Sequence, residues 1–342
     1  QNSLYIVRFN KKNDMAYKNV YITLIFFLLF TFVMKAQSNL AIGEWKSHLS
    51  YRSGVLVTQT NDKIVYAAQR GLFTLDKSDL AVKFLSREDG LSDVRIAKLF
   101  YDAFNNQIAI IYADDNIDFL KKGVVVNIPF IQTNTSILGS KAINDFYASS
   151  EDFALMATDF GILGFNPKTY DFIFTTFTNV RVNAVGTLNG YHYAATEKGL
   201  YRVPVTGFNI SDFGQWTKMG ENEGIPTNVE ISGLKVQHNS IYLTTLNQLY
   251  KLNENNQFVS IFRPSNAEED IRFISVSGDN LVIGIAKGEE GKVMLLDASG
   301  VMTNNYYGCV HEIQDAIVDE KGRIWFADTQ PPIKYLEDIR SD

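Results

Sequence analysis

The sequence is poor in cysteine and histidine. Of its 342 residues one is cysteine, Cys309, and four are histidine. A single cysteine excludes an internal disulfide framework, and we expect Cys309 to be a small buried hydrophobic residue. The histidines share no spacing, and no metal-binding Cys/His pattern, Gly-x-Ser-x-Gly elbow or phosphate-binding Gly loop occurs. We therefore expect no metal site, no cofactor and no catalytic residue, and we predict that the protein is not an enzyme.

A long hydrophobic run is also missing. The longest apolar stretch, residues 21–33, has 13 residues, whereas a membrane-spanning helix needs about 20. It follows Met15 and Lys18 and precedes small Ala36, which is typical of a signal peptide. We expect residues 1–37 to be an upstream extension and a signal peptide, with an uncleaved anchor as the alternative. The mature chain is then expected to have no transmembrane segment.

Positive charge is scarce once this leader is set aside. Residues 1–37 contain five Lys or Arg and one acidic residue, so the remaining chain carries 27 basic and 37 acidic residues, a net charge of −10. An acidic surface of this kind disfavours nucleic acid and anionic membranes as partners.

One short pattern does recur along the rest of the chain. An alternating strand ends at an Asn, Asp or Gly turn, a second apolar strand follows, and a Gly-Leu-like step begins a third. The clearest copies lie at 64–73 and 191–201, and the seven anchors are separated by 45, 45, 38, 49, 41 and 42 residues. This spacing is the period of one four-stranded propeller blade, about 40 to 45 residues.

The period predicts an all-β fold over residues 38–342: a seven-bladed β-propeller with four-stranded antiparallel blades and almost no helix. The last repeat supplies only three strands before the chain ends, and an open ring would leave an unpaired sheet edge. Residues 44–47 resemble residues 215–218, the outer strand of the fourth repeat. We therefore expect the mature N-terminal strand to close the ring by completing the last blade.

Two sets of loops are candidates for function. Acidic residues in second-to-third-strand connections would gather at one channel mouth, where they form either a cation-binding ring or ordinary solvated turns. These are Asp114, Asp115, Asp159, Glu197, Glu289 and Glu290. The fourth-to-first-strand connections are the expected partner-binding surface, because recognition residues concentrate on loops of a rigid scaffold. They span residues 87–94, 132–141, 178–181, 220–229, 264–270 and 304–312.

The aromatic residues divide into two groups. Tyr66, Tyr193 and Trp325 occupy the same repeat position inside the second strand, where we expect a large side chain to pack one blade against the next. Tyr306 and Tyr307 precede the last repeat and are the better candidates for an exposed role.

Two resemblances follow from these motifs. Residues 319–327 (Asp-Glu-Lys-Gly-Arg-Ile-Trp-Phe-Ala) and 89–92 (Asp-Gly-Leu-Ser) resemble the propellers of bacterial hybrid two-component regulators. A narrower set of segments resembles the N-terminal propeller of the PorZ family, cell-surface components of the type IX secretion system of Bacteroidetes. This set comprises residues 44–46, 49–52, 71–73, 90–96, 110–112 and 116–120. The resemblance covers residues 44–342 and is strongest over the first two blades.

The PorZ resemblance implies a non-catalytic scaffold subunit of the complex that attaches secreted cargo to lipopolysaccharide. It implies the sortase PorU, PorV and PorQ as partners, lipopolysaccharide as a further ligand, and a periplasmic or outer-membrane surface location. Family members continue into a second propeller and a C-terminal β-sandwich, whereas this chain ends at Asp342, so we expect a fragment or a truncated product. The alternative function is an extracytoplasmic ligand-sensing propeller of a hybrid two-component regulator, and a lactonase or glycan lyase ranks third.

Overall fold

The alternating and apolar segments of the repeat form short antiparallel strands. The computed structural model describes residues 54–68, 71–237, 239–277, 280–288, 290–306, 313–328 and 334–336. Within these ranges the only helical elements are α1 (Phe130–Thr133) and three single 3₁₀ turns. The prediction of almost no helix is confirmed for this part of the chain.

Six sheets have four strands each, and each strand pairs antiparallel with the next. Blade 1 contains β1 (Gly54–Gln59), β2 (Lys63–Ala68), β3 (Gly71–Asp76) and β4 (Val82–Leu85). Blade 2 contains β5 (Ile96–Asp102), β6 (Gln107–Tyr112), β7 (Ile117–Lys121) and β8 (Val124–Ile128). Blade 3 contains β9 (Ile143–Ala148), β10 (Ala154–Thr158), β11 (Gly161–Asn166) and β12 (Asp171–Phe177).

The second half of the chain repeats this order. Blade 4 contains β13 (Val182–Leu188), β14 (Tyr191–Thr196), β15 (Gly199–Pro204) and β16 (Thr217–Lys218). Blade 5 contains β17 (Gly233–Gln237), β18 (Ser240–Thr245), β19 (Gln248–Leu252) and β20 (Phe258–Phe262). Blade 6 contains β21 (Asp270–Ser277), β22 (Asn280–Lys287), β23 (Glu290–Leu296) and β24 (Met302–Tyr306). The terminal sheet contains β25 (Ile313–Val318), β26 (Ile324–Asp328) and β27 (Lys334–Leu336).

The prediction of seven four-stranded blades is wrong. The propeller has six complete blades, and the terminal sheet has three strands in the part of the chain that the structure describes. The prediction counted the last repeat as a full blade because it assigned residues 38–50 as the outer strand of that blade. Those residues lie outside the described ranges, as do the signal peptide, Cys309 and Tyr307; the side chain of Tyr306 is likewise not described.

The hydrophobic core lies between neighbouring sheets. The second strands are buried along nearly their whole length, as in β6 and β10, because each is covered by a neighbouring sheet on both faces. Tyr66, Tyr193 and Trp325 are all buried, so the prediction that they pack between blades is confirmed. Val, Ile and aromatic residues suit these strands because their side chains fill a pleated surface that is covered on both sides.

The two ends of the described chain meet at one of these interfaces. A buried cluster joins Tyr66 and Phe73 of blade 1 to Ile317 and Trp325 of the terminal sheet. The side chain of Gln59 adds a hydrogen bond to the carbonyl of Val318 at 2.7 Å. The terminal sheet therefore packs directly against blade 1.

Candidate functional site: the channel and the upper face

The first strands of the sheets surround a central channel with a volume of about 1480 Å³. The polar side chains lining it include Lys98, Asp145, Lys235, Arg272 and Asp315. In all of these first strands except β17, the pairing with the second strand shifts register near its start. Such a bulge inserts one extra residue and turns the following side chains, so simple alternation does not describe which of them face the channel.

Two aspartates tie adjacent first strands together. Asp145 Oδ2 accepts a hydrogen bond from the backbone N–H of Val185 at 3.2 Å, and Asp315 Oδ2 accepts one from Val57 N–H at 3.1 Å. Both aspartates are the third residue of their strand, and both acceptors bridge to the next sheet around the ring. The same residue at the same repeat position therefore performs the same structural task twice.

A lysine reaches across one blade to join this arrangement. Lys235 Nζ of blade 5 lies 3.2 Å from Asp145 Oδ1 of blade 3. Between them blade 4 presents Gly186, where an added Cβ would lie 2.6 Å from Leu234 and 2.8 Å from Val236. A side chain at this position would therefore force the Leu234 and Val236 side chains of blade 5 to move.

Asp315 is the carboxylate whose ionisation the channel alters most clearly. Burial raises its pKa to about 6, while the hydrogen bonds from Val57 and Ala316 and the charges of Lys98 and Lys235 act in the opposite direction. The Lys98 side chain makes no hydrogen bond or ion pair with the described residues, and its charge acts on Asp315. The channel lining therefore includes one ion pair, one carboxylate held by backbone N–H groups, and the cationic side chains of Lys98 and Arg272.

This assignment predicts a pH-dependent effect of Asp315→Asn. Because the folded protein holds the proton more tightly than the unfolded chain, its free energy of unfolding falls as pH rises from about 4 to about 6. The Asp315→Asn protein lacks this titration. Its free energy of unfolding, taken relative to that of the wild-type protein, should therefore rise by about 2 kcal/mol between about pH 4 and about pH 7.5. Urea unfolding at the two pH values measures the difference.

His192 titrates in the same pH range but does not affect the comparison of the two proteins. Burial lowers its pKa to about 4, so below about pH 6.5 its titration destabilises the folded state, with a sign opposite to that of Asp315. The effect is present in both proteins and cancels in their difference. A stability difference that does not change with pH would contradict the assignment to Asp315.

At one end of the channel, two asparagines connect the blades in a repeated way. Asn144 Nδ2 donates to Val182 O at 2.8 Å and to Asp159 Oδ1 at 2.9 Å. One blade further on, Asn183 Nδ2 donates to Ile231 O at 2.9 Å and to a carboxylate oxygen of Glu230 at 3.0 Å. This end carries the second-to-third-strand and fourth-to-first-strand connections, and we call it the upper face.

The predicted acidic ring is only partly assembled on the upper face. Asp114 and Asp159 both act on the ionisation of Asp115, whose pKa is raised by burial first and then by these two charges, with Lys141 opposing. Asp114 accepts from Gln132 at 2.7 Å, and Asp159 is hydrogen-bonded by Ser140 and Asn144. Glu197 lies in the second-to-third-strand connection of blade 4, Glu290 is the first residue of β23 in blade 6, and Glu289 lies outside the described residues. Among the described residues, no group of three His, Cys, Asp or Glu side chains is arranged to hold a metal ion.

The predicted partner-binding loops lie between fourth and first strands, except that Asp270 begins β21 and residues 304–306 belong to β24. Residues 307–312 lie outside the described ranges. Two of these loops share one construction. In residues 86–91, Asp89 accepts from the N–H of Ser86 at 2.9 Å, and Gly90 has φ 101°. In residues 220–225, Glu223 accepts from Gly220 N–H at 2.8 Å, and Gly224 has φ 79°. The acidic residue closes the turn, and the glycine supplies the left-handed backbone.

The Gly-Leu-Ser loop is anchored to the blade beneath it. Leu91 is buried, and Asp118 accepts hydrogen bonds from both the N–H and the hydroxyl of Ser92, at 2.8 and 2.7 Å. Tyr112 donates to the same carboxylate at 2.6 Å. The Gly-Leu-Ser motif is therefore an anchored connection in which the N–H and hydroxyl groups of Ser92 form hydrogen bonds within the protein.

His192, the histidine in the described ranges, is not among the residues that line the channel. His192 lies in the second strand of blade 4, where it stacks on Phe153 and hydrogen-bonds Thr187 at 2.8 Å. His48, His238 and His311 lie outside the described residues. In the part of the chain that the structure describes, no helix is long and apolar enough to cross a membrane.

Strand order and pairing define the class of protein as a β-propeller. Virginiamycin B lyase of Staphylococcus aureus shares this fold with a TM-score of 0.62 at 11% identity, over 83% of this chain and 94% of that chain. The extracellular domain assigned to a hybrid two-component system of B. thetaiotaomicron shares it with a TM-score of 0.61 at 16% identity, over 87% of this chain and 41% of that chain. No curated protein sequence matches the chain.

The narrower resemblance is to PorZ. Residues 64–217 match the family model of the PorZ N-terminal β-propeller domain of the type IX secretion system. The solved PorZ of Porphyromonas gingivalis, described as an essential bacterial surface component of that system, superposes with a TM-score of 0.73 at 20% identity, over 86% of this chain. The resemblance predicted from the sequence is confirmed. The chain spans 38% of the length of that PorZ.

Proposed function

We propose that this propeller is part of a non-catalytic scaffold subunit of the type IX secretion machinery, assisting attachment of cargo to lipopolysaccharide at the cell surface. The observation that carries the proposal is the match of residues 64–217 to the PorZ N-terminal propeller domain. The proposed partners are the sortase PorU together with PorV and PorQ, and lipopolysaccharide is the proposed further ligand.

The chemistry of the channel supports a non-enzymatic role. A general base needs a carboxylate or imidazole within reach of a substrate proton. Asp145 is instead occupied by Lys235 and a backbone N–H, and Asp315 is held by two backbone N–H groups. These groups join blades to one another, which suits a rigid platform for binding.

We further propose that residues 1–37 are the upstream extension and signal peptide and that residues 38–342 are the propeller. The 13-residue apolar stretch at 21–33 is the feature that supports export to the periplasm or the outer-membrane surface.

The second candidate is the ligand-sensing propeller of a hybrid two-component regulator. Its specific support is the Asp-x-x-Gly-x-Ile-Trp pattern at 319–325 together with the fold shared with the B. thetaiotaomicron domain. In this case the upper face would bind a small ligand, and the signal would pass to a kinase.

A tagged copy of the whole parent protein in its native cells separates the two candidates. After crosslinking and purification from the outer-membrane fraction, the secretion role predicts recovery of PorU, PorV and PorQ. Recovery in the inner-membrane fraction as part of a polypeptide with histidine-kinase activity would contradict the secretion role and support the regulator.

A further inference from the structure

A small groove on the upper face combines exposed apolar side chains with negative charge. It lies beside the connection from β8 to β9 and has a volume of about 390 Å³. Ile137, Leu138, Phe160 and Phe177 supply its apolar walls, and Asp159 and Ser140 supply its polar edge. We call it the Leu138 groove.

The apolar walls of the Leu138 groove face water. Leu138 is 87% exposed and Phe177 is 56% exposed, while Ile137 and Phe160 are buried beneath them. Leu138 has the highest exposure of the large hydrophobic side chains in the described ranges. Covering both exposed side chains with a partner would remove a large apolar area from water, which is the main favourable term in association.

The loop that presents Leu138 is held in place by its own contacts. Ser140 donates its hydroxyl proton to Asp159 at 2.5 Å, and Lys141 donates to the carbonyl of Gln132 at 3.0 Å. Ile137, which precedes Leu138 in the chain, is buried and anchors the loop. A loop that is already ordered loses little further conformational entropy on binding, so more of the contact energy appears as affinity.

The charge beside the groove is negative. Asp159 lines the groove. Asp115 experiences the negative charges of Asp159 and Asp114, and Lys141 is the basic group that acts on it. Three carboxylates against one ammonium leave a surplus of negative charge next to the apolar walls. A partner that matches this surface carries positive charge beside an apolar side chain.

We propose that the Leu138 groove docks a protein segment in which a Lys or Arg residue lies next to a large apolar residue. The apolar side chain packs between Leu138 and Phe177, and the basic side chain reaches Asp115 and Asp159. The inference rests on the proposed function in one respect, that the upper face is where this propeller meets its partners.

The same charges disfavour the other occupants of an apolar groove. A second copy of the chain that met this one groove to groove would bring a like-charged edge against it, and like charges across an interface weaken association. An anionic membrane surface would be repelled for the same reason. The geometry therefore favours a basic and apolar polypeptide.

Fluorescence polarisation with synthetic peptides tests the proposal. The probe is a labelled Gly-Arg-Leu-Lys-Phe-Gly peptide, and its comparison peptides are Gly-Glu-Leu-Asp-Phe-Gly and Gly-Arg-Ser-Lys-Ser-Gly. We expect saturable binding of the probe, weakened by added salt, and at least about tenfold weaker binding of each comparison peptide, since tenfold corresponds to about 1.4 kcal/mol.

Two substitutions with matched controls locate the binding. Leu138→Ser removes the exposed apolar wall, and Leu246→Ser removes a 63% exposed leucine from the upper face of blade 5. Asp115→Asn removes a charge at a position with φ 66°, a left-handed conformation that asparagine tolerates well. Asp171→Asn removes an exposed charge from β12 outside the groove.

We expect Leu138→Ser and Asp115→Asn each to weaken probe binding at least about fivefold, a factor corresponding to about 1 kcal/mol, and the two controls to leave it unchanged. Equal binding by the Leu138 and Leu246 variants, equal binding of the acidic peptide, or the lack of saturation would each overturn the proposal. A dimer of the chain that Leu138→Ser dissolves would also overturn it, by making a second copy the occupant. None of these results alters the outcome of the purification of the whole parent protein, so the two proposals fail separately.

Discussion

Trp325→Ala should lower the free energy of unfolding by about 4 kcal/mol, because deletion of a buried aromatic leaves a cavity that its neighbours fill only in part. Trp325 is fully buried in the cluster that joins the terminal sheet to blade 1. Its indole N–H also donates to Asp319 at 2.9 Å, and Arg323 lies over the ring at 5.1 Å. Urea unfolding measures the loss, with far-ultraviolet circular dichroism of the backbone as the probe because the variant lacks Trp325 fluorescence.

Trp325→Phe is the matched control. Phenylalanine keeps an aromatic ring between the sheets and loses only the hydrogen bond and part of the volume, so it should cost about 1 to 2 kcal/mol. If both variants lose the same stability, the effect belongs to the hydrogen bond alone. A loss below about 1 kcal/mol for alanine would contradict the packing of the terminal sheet against blade 1.

Asp102→Ala should cost about 3 kcal/mol, because a buried carboxylate that several donors share leaves those donors unsatisfied when it is removed. Asp102 is fully buried at the end of β5 and accepts from Phe104 N–H, Asn105 N–H, Asn105 Nδ2 and Gln107 Nε2 at 2.9 to 3.2 Å. Asn105 and Gln107 in turn donate to Glu151 O and Pro167 O of blade 3. The substitution therefore loosens a turn and the contact between two blades.

Asp152→Ala in the corresponding turn of blade 3 is the control. Asp152 is exposed and accepts from the hydroxyl of Ser150, so its removal should change stability by no more than about 0.5 kcal/mol. Thermal unfolding of the two variants side by side gives the comparison. Equal melting temperatures would show that Asp102 is not the hub of this turn.

The sequence predicted the strand pattern because the repeat is local. Alternation and turn residues fall within about ten positions of each other, and the second strands are apolar on both faces as sandwiched strands must be. The buried positions of Tyr66, Tyr193 and Trp325 follow from the same local register. The outer strand at residues 217–218 was recognised for the same reason.

The completeness of the last blade could not be predicted in this way. A repeat predicts how many times a supersecondary unit recurs, whereas a four-stranded blade also needs an outer strand, which residues 313–336 do not provide in the described part of the chain. The prediction took that strand from residues 38–50, because residues 44–47 resemble residues 215–218 around Trp45 and Trp216.

The polar contacts of the channel could not be predicted because they join residues far apart in the chain. Lys235 and Asp145 are separated by 90 positions, and Val57 and Asp315 by 258. The bulges near the start of most first strands also turn the side chains away from simple alternation. One signal was present: aspartate occurs at the third position of both Ile143-Asn144-Asp145 and Ile313-Gln314-Asp315.

Deletion of the parent gene followed by analysis of secreted cargo tests the central claim most directly. Outer-membrane and medium fractions are probed for cargo that carries the C-terminal secretion signal and for its lipopolysaccharide-modified form. A scaffold of the attachment machinery predicts that the modified form disappears and that cargo accumulates unattached, with recovery when the whole gene is restored. Normal attachment in the deletion strain, accompanied by loss of a transcriptional response to an external glycan, would contradict the secretion role.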